Sequence, residues 1–286
     1  MVMPNWFDPQ SSLLILPPVQ GKVPSGFRLV ETDPHRHALL LAEAQRFRAR
    51  AYLDAGYVQP SELTADGRHA LDVDRTSWHL LAVSRGGRIS GCARCLVHDD
   101  AVVLQRLWVR DAAVIRSPKW GPGLRAAIER DLELVRQRQS RYVEVGGWAI
   151  AKERRGTTDA LRIALGTYGL GLALGAGIAV TTAAVKHGSS SILRRIGGRP
   201  VEVDGVELPP YYDPQYRCEL EMLRFDCRFP SERYLDWIEA FRIRVPYFQV
   251  VSGRARSVWE MPAPAGIPRA NPAMAYALHS PSPAAG

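Results

Sequence analysis

The chain has 286 residues, of which 46% are hydrophobic and 23% are charged, so it is long enough to bury a substantial core as an ordinary globular protein. Its longest apolar run, residues 168–182, is interrupted by glycine and is too short to cross a bilayer, which excludes a transmembrane segment. The formal net charge of +8 favours acidic partners such as nucleic acid, anionic lipid, a phosphate-bearing cofactor or an acidic carrier protein. The excess of arginine over lysine equally fits a basic protein that has no such partner.

The first half of the chain predicts an irregular start followed by a helix and a β-hairpin. Residues 1–25 are rich in proline and predict an irregular N-terminal arm. Gly86 and Gly87 form the turn of the hairpin, because two glycines suit the twist of paired antiparallel strands. The other predictions are strands over 26–31, 79–84, 88–97 and 101–109, a helix over 34–54, and a loop over 57–75.

The second half alternates helices and strands. Residues 141–198 read as strand, basic turn, apolar helix, short strand and second helix. Antiparallel strands followed by a strand-helix-strand crossover predict an α/β (α+β) domain with a mixed, mostly antiparallel central sheet and helices on both faces. The remaining predicted elements are a helix over 121–139, strands over 201–208 and 216–226, and an amphipathic helix over 231–245.

These elements define four predicted segments. The arm over 1–25 precedes a domain over 26–228, and the amphipathic helix within 229–253 packs on that domain. The segment 254–286 is rich in proline and alanine, a composition typical of disorder.

The four cysteines indicate buried free thiols rather than a metal or redox site. Cys92 and Cys95 lie in a strand-like run, so alternation points their side chains to opposite faces. Cys218 and Cys227 lack the close spacing of a second ligand pair, and no metal is expected. No charged-then-apolar leader opens the sequence, and we expect a reducing, cytoplasmic location.

The turn between the strand RYVEVGGWAI and the next helix has the features of an anion site. It carries Arg154 and Arg155 with Gly156, Thr157 and Thr158, and it opens a helix whose free N–H groups and dipole favour phosphate. Within the preceding strand, Glu144 supplies a carboxylate beside this turn. The combination suggests group transfer from a nucleotide-like or pantetheine-bearing donor.

Three local patterns within residues 27–226 carry a resemblance. They are RARAY at 48–52 followed by a Gly-Tyr pair, the run LDVDRTSWHLLAVSRGGRISGCARCL at 71–96, and Glu144 followed by Gly147 and Trp148. Together with the order of elements, they resemble the GNAT acyltransferase fold. The similarity is closest to the branch that holds acyl-homoserine-lactone synthases, long-chain N-acyl amino acid synthases and ornithine-lipid acyltransferases.

The resemblance implies a donor site at the splayed end of the strand. Pantetheine would enter the gap between this strand and the next, with the amides near Ala149, Ile150 and Ala151 bonding it and the turn 154–158 facing the phosphate. Glu144 would be the general base, while the alternative is a surface carboxylate paired with Arg141.

Several positions depart from the pattern. Gly147 replaces an arginine, and Leu193 replaces the tyrosine that acts as general acid in GNAT enzymes. Glu153, Thr158 and Gly198 also replace expected residues, and the acidic cluster is only Asp72 and Asp74.

The acceptor site is predicted around several polar and aromatic residues. A cation for a carboxylate and an acid for an ammonium are what an amino-acid acceptor needs. A salt bridge between Arg94 and either aspartate of the second pattern is the structural alternative. The helix over 231–245 either packs on the sheet or walls a long-chain acyl tunnel. The candidates for acceptor binding are Arg48, Tyr52, Asp72, Asp74, Arg94 and Trp148.

The sequence therefore predicts an N-acyltransferase that moves an acyl group from acyl-CoA or acyl-carrier protein to the amine of an amino acid or related metabolite. Direct attack needs no permanently bound cofactor; the acyl-phosphopantetheine donor is a substrate. Partners would be the small-molecule amine and an acidic acyl carrier protein, with no nucleic acid expected. Two alternatives stay open: an acyl-CoA sensor without turnover, and a basic domain that binds nucleic acid or an anionic surface.

Overall fold

A ten-stranded mixed sheet organises the part of the chain that the computed structural model describes, residues 11–254. Its strand order is β10-β11-β6-β5-β4-β3-β1-β12-β2, with β7 also paired to β11. A separate small hairpin joins β8 and β9. The strands are β1 (Ser11–Leu16), β2 (Leu29–Thr32), β3 (Trp78–Ser84), β4 (Ile89–Val97), β5 (Arg141–Ile150), β6 (Ala176–Ala184), β7 (Arg199–Pro200), β8 (Glu202–Val203), β9 (Val206–Glu207), β10 (Tyr211–Asp213), β11 (Cys218–Asp226) and β12 (Gln249–Ser252).

Helices cover both faces of this sheet. Cys92 on β4 packs with α1 residues, whereas its neighbours Ala93 and Cys95 pack with α3 residues, as strand alternation requires. The mixed sheet with two helical layers confirms the predicted fold class, and the opposite orientation of Cys92 and Cys95 is confirmed as well. The helices are α1 (Pro34–Ala55), α2 (Gly121–Gln137), α3 (Asp159–Ala173), α4 (Ser189–Arg195) and α5 (Leu235–Arg244).

Strands β5 and β6 are parallel neighbours that part at one end. Their last paired residues are Val145 and Thr181, yet β5 continues to Ile150 and β6 to Ala184. Beyond the last pair, each strand lacks the backbone partner that a parallel ladder would supply. The sheet therefore opens a gap between these two strands.

A β-bulge in β5 bends the strand where the gap begins. Arg94 pairs with Gly146 and Cys92 with Ala149, so Gly147 and Trp148 together oppose the single residue between them on β4. Gly147 has φ = +61°, and a Cβ there would lie 3.1 Å from Nη1 of Arg48. Glycine is therefore favoured at this position, which the resemblance pairs with an arginine.

Several predicted elements and segment assignments were wrong. The arm over 1–25 contains β1, which lies inside the sheet between β3 and β12, while residues 1–10 lie outside the described residues. The segment 229–253 adds β12 to the same sheet, in addition to its helix. The region over 101–109 forms short 3-10 turns rather than a strand, and 201–208 forms the β8–β9 hairpin apart from the main sheet. The predicted disordered tail lies outside the described residues beyond Arg254.

Helix α5 packs against α3 through Trp237, Ile238 and Phe241, all of which are buried. The packing alternative for this helix is therefore correct. None of these three side chains lines the two cavities described below, and a long-chain tunnel walled by this helix stays a prediction. Within residues 11–254, the helices are all too short or too polar to cross a membrane.

Candidate active site

A cavity of about 190 Å³ lies at the gap between β5 and β6. Its floor is the parted strands, and its walls come from the end of α1, the turns after β4 and the β10–β11 hairpin. The cavity brings together three of the predicted acceptor residues, Tyr52, Arg94 and Trp148, with the predicted base Glu144.

Glu144 is a buried carboxylate held by three donors. The backbone N–H of Trp108 donates to its Oε2 at 2.9 Å, and that of Val109 donates to its Oε1 at 2.6 Å. The His98 Nε2 donates to Oε2 at 2.7 Å. Because only 8% of the residue is exposed, the alternative of a surface-facing glutamate was wrong.

The same contacts explain why residues 101–109 do not form a strand. The N–H groups of Trp108 and Val109 point at Glu144 instead of a neighbouring strand. The apolar residues of this segment still pack in the core on the α2 side of the sheet, so their alternation misled the strand prediction. They include Val102, Leu104, Leu107 and Val109.

Asp74 is the centre of a fully buried ion network. Its Oδ2 accepts from Arg48 Nη2 at 2.5 Å and from Gln45 Nε2 at 3.0 Å, and its Oδ1 accepts from Arg94 Nη1 at 2.9 Å. Despite the opposing effect of burial, the two guanidinium groups hold the pKa of Asp74 well below its usual range. The structural alternative for Arg94 is thus realised, with Asp74 as its partner.

The remaining acceptor candidates separate into two groups. Arg48 is 2% exposed, and its guanidinium donates hydrogen bonds to Asp74 and His69. It therefore lies behind the cavity wall and does not line the cavity. Asp72 is exposed and lines a groove beside the first half of α1, away from the cavity. Only Arg94 belongs both to the ion network and to the cavity.

The donor candidates lie at the far end of β5 and the start of α3. Ala149 and Ile150 are paired with β4, and the N–H of Ala151 donates to the Ser90 carbonyl at 2.9 Å, so that amide is already bonded. Arg154 Nε pairs with Asp159 Oδ2 at 2.5 Å.

The turn that follows is open to solvent. Arg155, Gly156, Thr157 and Thr158 are exposed directly before α3, and Gly156 has φ = +76°. Since Arg154 is engaged with Asp159, Arg155 is the arginine of this turn with the freer charge.

The cavity wall also holds polar groups of which the sequence indicated only Trp148. Three buried polar atoms in its wall have no hydrogen-bond partner within the described chain: Trp148 Nε1, Thr167 Oγ1 and Tyr211 OH. Buried polar atoms are usually paired, so these three are available to water or to a ligand in the cavity. His98 reaches Glu144 through the antiparallel register of β4 and β5, a relation that sequence spacing does not show.

The comparisons place this chain by its fold. No protein-family model matches the sequence, and no curated protein matches it. Among solved structures, the CoA-dependent acyl-homoserine lactone synthase BjaI, with SAM and isopentyl-CoA, aligns with a TM-score of 0.51 and 13% identity over 87% of this chain and 96% of BjaI. TofI, in a ternary complex with an inhibitor and MTA, aligns with a TM-score of 0.47 and 15% identity over 79% of this chain and 96% of TofI. FeeM, an N-acyl amino acid synthase from uncultured soil microbes, aligns with a TM-score of 0.46 and 11% identity over 73% of this chain and 96% of FeeM.

The fold is therefore that of the GNAT-like acyltransferases. Within that class, the architecture is similar to that of an acyl-homoserine lactone synthase, as the sequence resemblance implied.

We expect the substitution Asp74→Asn to destabilise the protein by about 3–5 kcal/mol, because it leaves Arg48 and Arg94 buried without their counter-charge. The loss of unfolding free energy is measured by urea denaturation, with circular dichroism as the signal. An Asp72→Asn variant, which removes an exposed carboxylate, is the control and should stay within about 0.5 kcal/mol of wild type. Equal stability of the two variants would contradict the role of the network.

Stability should also fall in mild acid. His79 is 2% exposed and donates to the Asp74 carbonyl, and burial lowers its pKa to about 4 from the ordinary 6.5. The folded state therefore resists protonation that the unfolded state accepts, so this contribution is complete above pH 6.5 and is lost as the pH falls towards 4. The expected loss is about 2 kcal/mol between pH 7.5 and pH 5. A flatter pH profile for His79→Gln, which keeps an N–H donor, would confirm the source, and an unchanged profile would contradict it.

Proposed function

We propose that this protein is an N-acyltransferase, which moves an acyl group from a thioester to the amine of an amino acid or related small molecule. The observation that carries the proposal is the gap between β5 and β6 with the buried carboxylate of Glu144 in its cavity wall. A gap of this kind admits an extended thioester arm, because the parted strands leave backbone groups unpaired along it. A carboxylate beside the gap can take a proton from an attacking amine.

The reaction is a direct transfer. The amine nitrogen attacks the thioester carbon, the nitrogen–carbon bond forms, and the carbon–sulfur bond breaks. Glu144 accepts the proton that the amine loses, and the thiolate that leaves the carbon takes up a proton from solvent, so the products are the amide and the free thiol. Proton transfer to a positioned base contributes about 10²- to 10⁴-fold to such a rate.

Three contacts position Glu144 for this role. The N–H groups of Trp108 and Val109 fix the carboxylate against the loop, and His98 holds the oxygen that also accepts from Trp108. His98 is a positioning residue, since it does not line the cavity itself.

The acyl group would occupy a second, apolar cavity of about 40 Å³ on the α3 side of the sheet. It shares Val145, Ala164, Thr167, Thr181 and Leu193 with the first cavity, so the two meet where β5 and β6 part. Tyr168 and Phe225, whose rings meet edge to face at 5.8 Å, lie in its wall. Thr167 lies at this junction, and its buried hydroxyl, which has no partner among the described residues, can donate to the thioester.

The donor would place its phosphate at the turn before α3. Arg155 and the amides of Gly156, Thr157 and Thr158 are exposed there at a helix N-terminus. Both acyl-CoA and an acyl carrier protein present such a phosphate on pantetheine, and the net charge of +8 suits the acidic carrier as well. On the acceptor side, Arg94 faces the cavity and offers its remaining donors to a carboxylate.

A sensor that binds the thioester without turnover is the second candidate. The sensor is favoured by Leu193, a buried apolar residue at the position where the resemblance implies a tyrosine that acts as general acid.

The substitution Glu144→Gln separates these two functions. We expect turnover, measured as free thiol released from acyl-CoA in the presence of an amine, to fall at least 100-fold because the base is lost. Binding of the donor should remain, and it is measured as the rise in the melting temperature of the protein when the donor is added. Glu202→Gln, on the exposed hairpin, is the control and should keep full turnover. Wild-type stabilisation by acyl-CoA without any thiol release would favour the sensor.

The donor site is tested by Arg155→Ala. Loss of one charged contact to phosphate should raise the Kd for acyl-CoA about tenfold, whereas binding of the matching acyl-pantetheine, which lacks the nucleotide and its phosphates, should stay unchanged. Arg28→Ala removes an exposed arginine elsewhere and serves as the control. An equal effect of both variants, measured by titration calorimetry, would remove the turn from the donor site.

A further inference from the structure

We propose that the acceptor carries a second positive charge, which binds at Asp213 in the wall of the same cavity. This inference rests on the proposed N-acyltransferase function and names its acceptor class: basic amino acids and diamines, whose remote ammonium or guanidinium pairs with this carboxylate. Neither the resemblance nor the sequence pattern indicated Asp213.

Asp213 is a buried carboxylate at the end of β10, only 6% exposed, and it lines the cavity. Its Oδ1 accepts the N–H of Gln215 at 2.9 Å and that of Tyr216 at 3.2 Å, which fixes the side chain in the β10–β11 turn. These bonds use one oxygen, so Oδ2 keeps its capacity to accept.

No cation of the described chain forms an ion pair with Asp213. Arg217, the nearest arginine along the chain, pairs with Glu62 at 3.0 Å, and Arg94 pairs with Asp74. Lys186 is exposed, and within the described residues it forms no ion pair with Asp213. A buried carboxylate without a counter-charge is costly, and a cationic ligand removes that cost.

Aromatic rings surround the same end of the cavity. The ring centroid of Tyr52 lies 5.8 Å from that of Tyr57 and 6.3 Å from that of Tyr216, and all three rings line the cavity. The buried hydroxyl of Tyr211, two residues before Asp213, has no partner within the described chain. Tyrosine rings and a carboxylate together form a favourable site for an ammonium or guanidinium group.

The charge balance of the cavity supports the same conclusion. Glu144 and Asp213 are both buried in its wall, and neither is paired with a lysine or arginine of residues 11–254. Arg94 is the cation that faces the cavity from within, and it is already bonded to Asp74. An acceptor with one amine at Glu144 and a neutral tail leaves Asp213 uncompensated, whereas a second cation compensates it.

Two matched pairs of acceptors test the proposal on the wild-type protein. L-lysine is compared with its neutral analogue L-norleucine, and 1,5-diaminopentane with n-pentylamine. We expect the cationic member of each pair to have at least a tenfold higher kcat/KM for thiol release from acyl-CoA. The members of a pair share chain length, so the ratio reports the remote charge. Equal rates, or faster reaction of the neutral members, would overturn the proposal.

The substitution Asp213→Asn assigns the effect to this residue. Asparagine retains the oxygen that accepts from Gln215 and Tyr216, so the turn is kept while the charge is removed. The cation-to-neutral ratio should fall below about threefold, mainly through slower reaction of the cationic members. Asp204→Asn, an exposed carboxylate in the β8–β9 turn, should keep the wild-type ratio. An unchanged ratio in Asp213→Asn would overturn the assignment.

A binding measurement keeps the inference separate from the catalytic proposal. Thermal stabilisation by 1,5-diaminopentane is compared with that by n-pentylamine, in wild type and in Asp213→Asn. A selective shift that Asp213→Asn abolishes, without thiol release from any amine, would support the cation site and reject the transferase. Thiol release with all amines but no selectivity for the cationic members would support the transferase and reject the cation site.

Discussion

The buried ion pairs of Asp74 with Arg48 and Arg94 hold together the protein interior beside the cavity. Arg48 belongs to α1, Arg94 to β4, and Asp74 to the short turn that leads into β3. One carboxylate thereby ties a helix, a loop and a strand, all in the protein interior. The bulge at Gly147 lies directly beside this network, so the shape of β5 at the gap depends on the same three charges.

Glu144 on β5, the strand next to β4, is a second carboxylate that holds separate segments together. Glu144 gathers the N–H groups of Trp108 and Val109 and the ring of His98, and so fixes the wall opposite α1. The site thus combines two kinds of buried acid. Asp74 is paired with two arginines and supports the structure, whereas Glu144 is held by two backbone N–H groups and His98 and faces the cavity.

Local pattern was sufficient to predict much of the fold and part of the site. The α1 helix, the β3–β4 hairpin and the β5-α3-β6 crossover have strong periodicity and clear turn residues, and the structure has them at nearly the expected positions. β1 was missed because prolines surround a short apolar run whose partners, β3 and β12, lie far along the chain.

For the site, the limit of prediction was set by tertiary pairing. Glu144 is detectable because it lies in a strand next to a recognisable turn. Asp213 is in a segment that reads as an ordinary turn, PYYDPQY, and gains its place only when β10 pairs at the edge of β11. Likewise, Arg154 and Arg155 are equivalent in the sequence, and only the contact with Asp159 distinguishes them.

The position of β12 has a consequence for how the chain is completed during synthesis. Among the described strands, β2 pairs only with β12, and β12 is also one of the two neighbours of β1. Both early strands therefore lack a pairing partner until residues 249–252 have been synthesised. Until those residues emerge, β1 presents an apolar strand edge, and β2 has no ladder at all. A chain that ends before Gln249 would therefore have an open sheet edge prone to self-association, so among the described strands β12 is the one that completes the sheet.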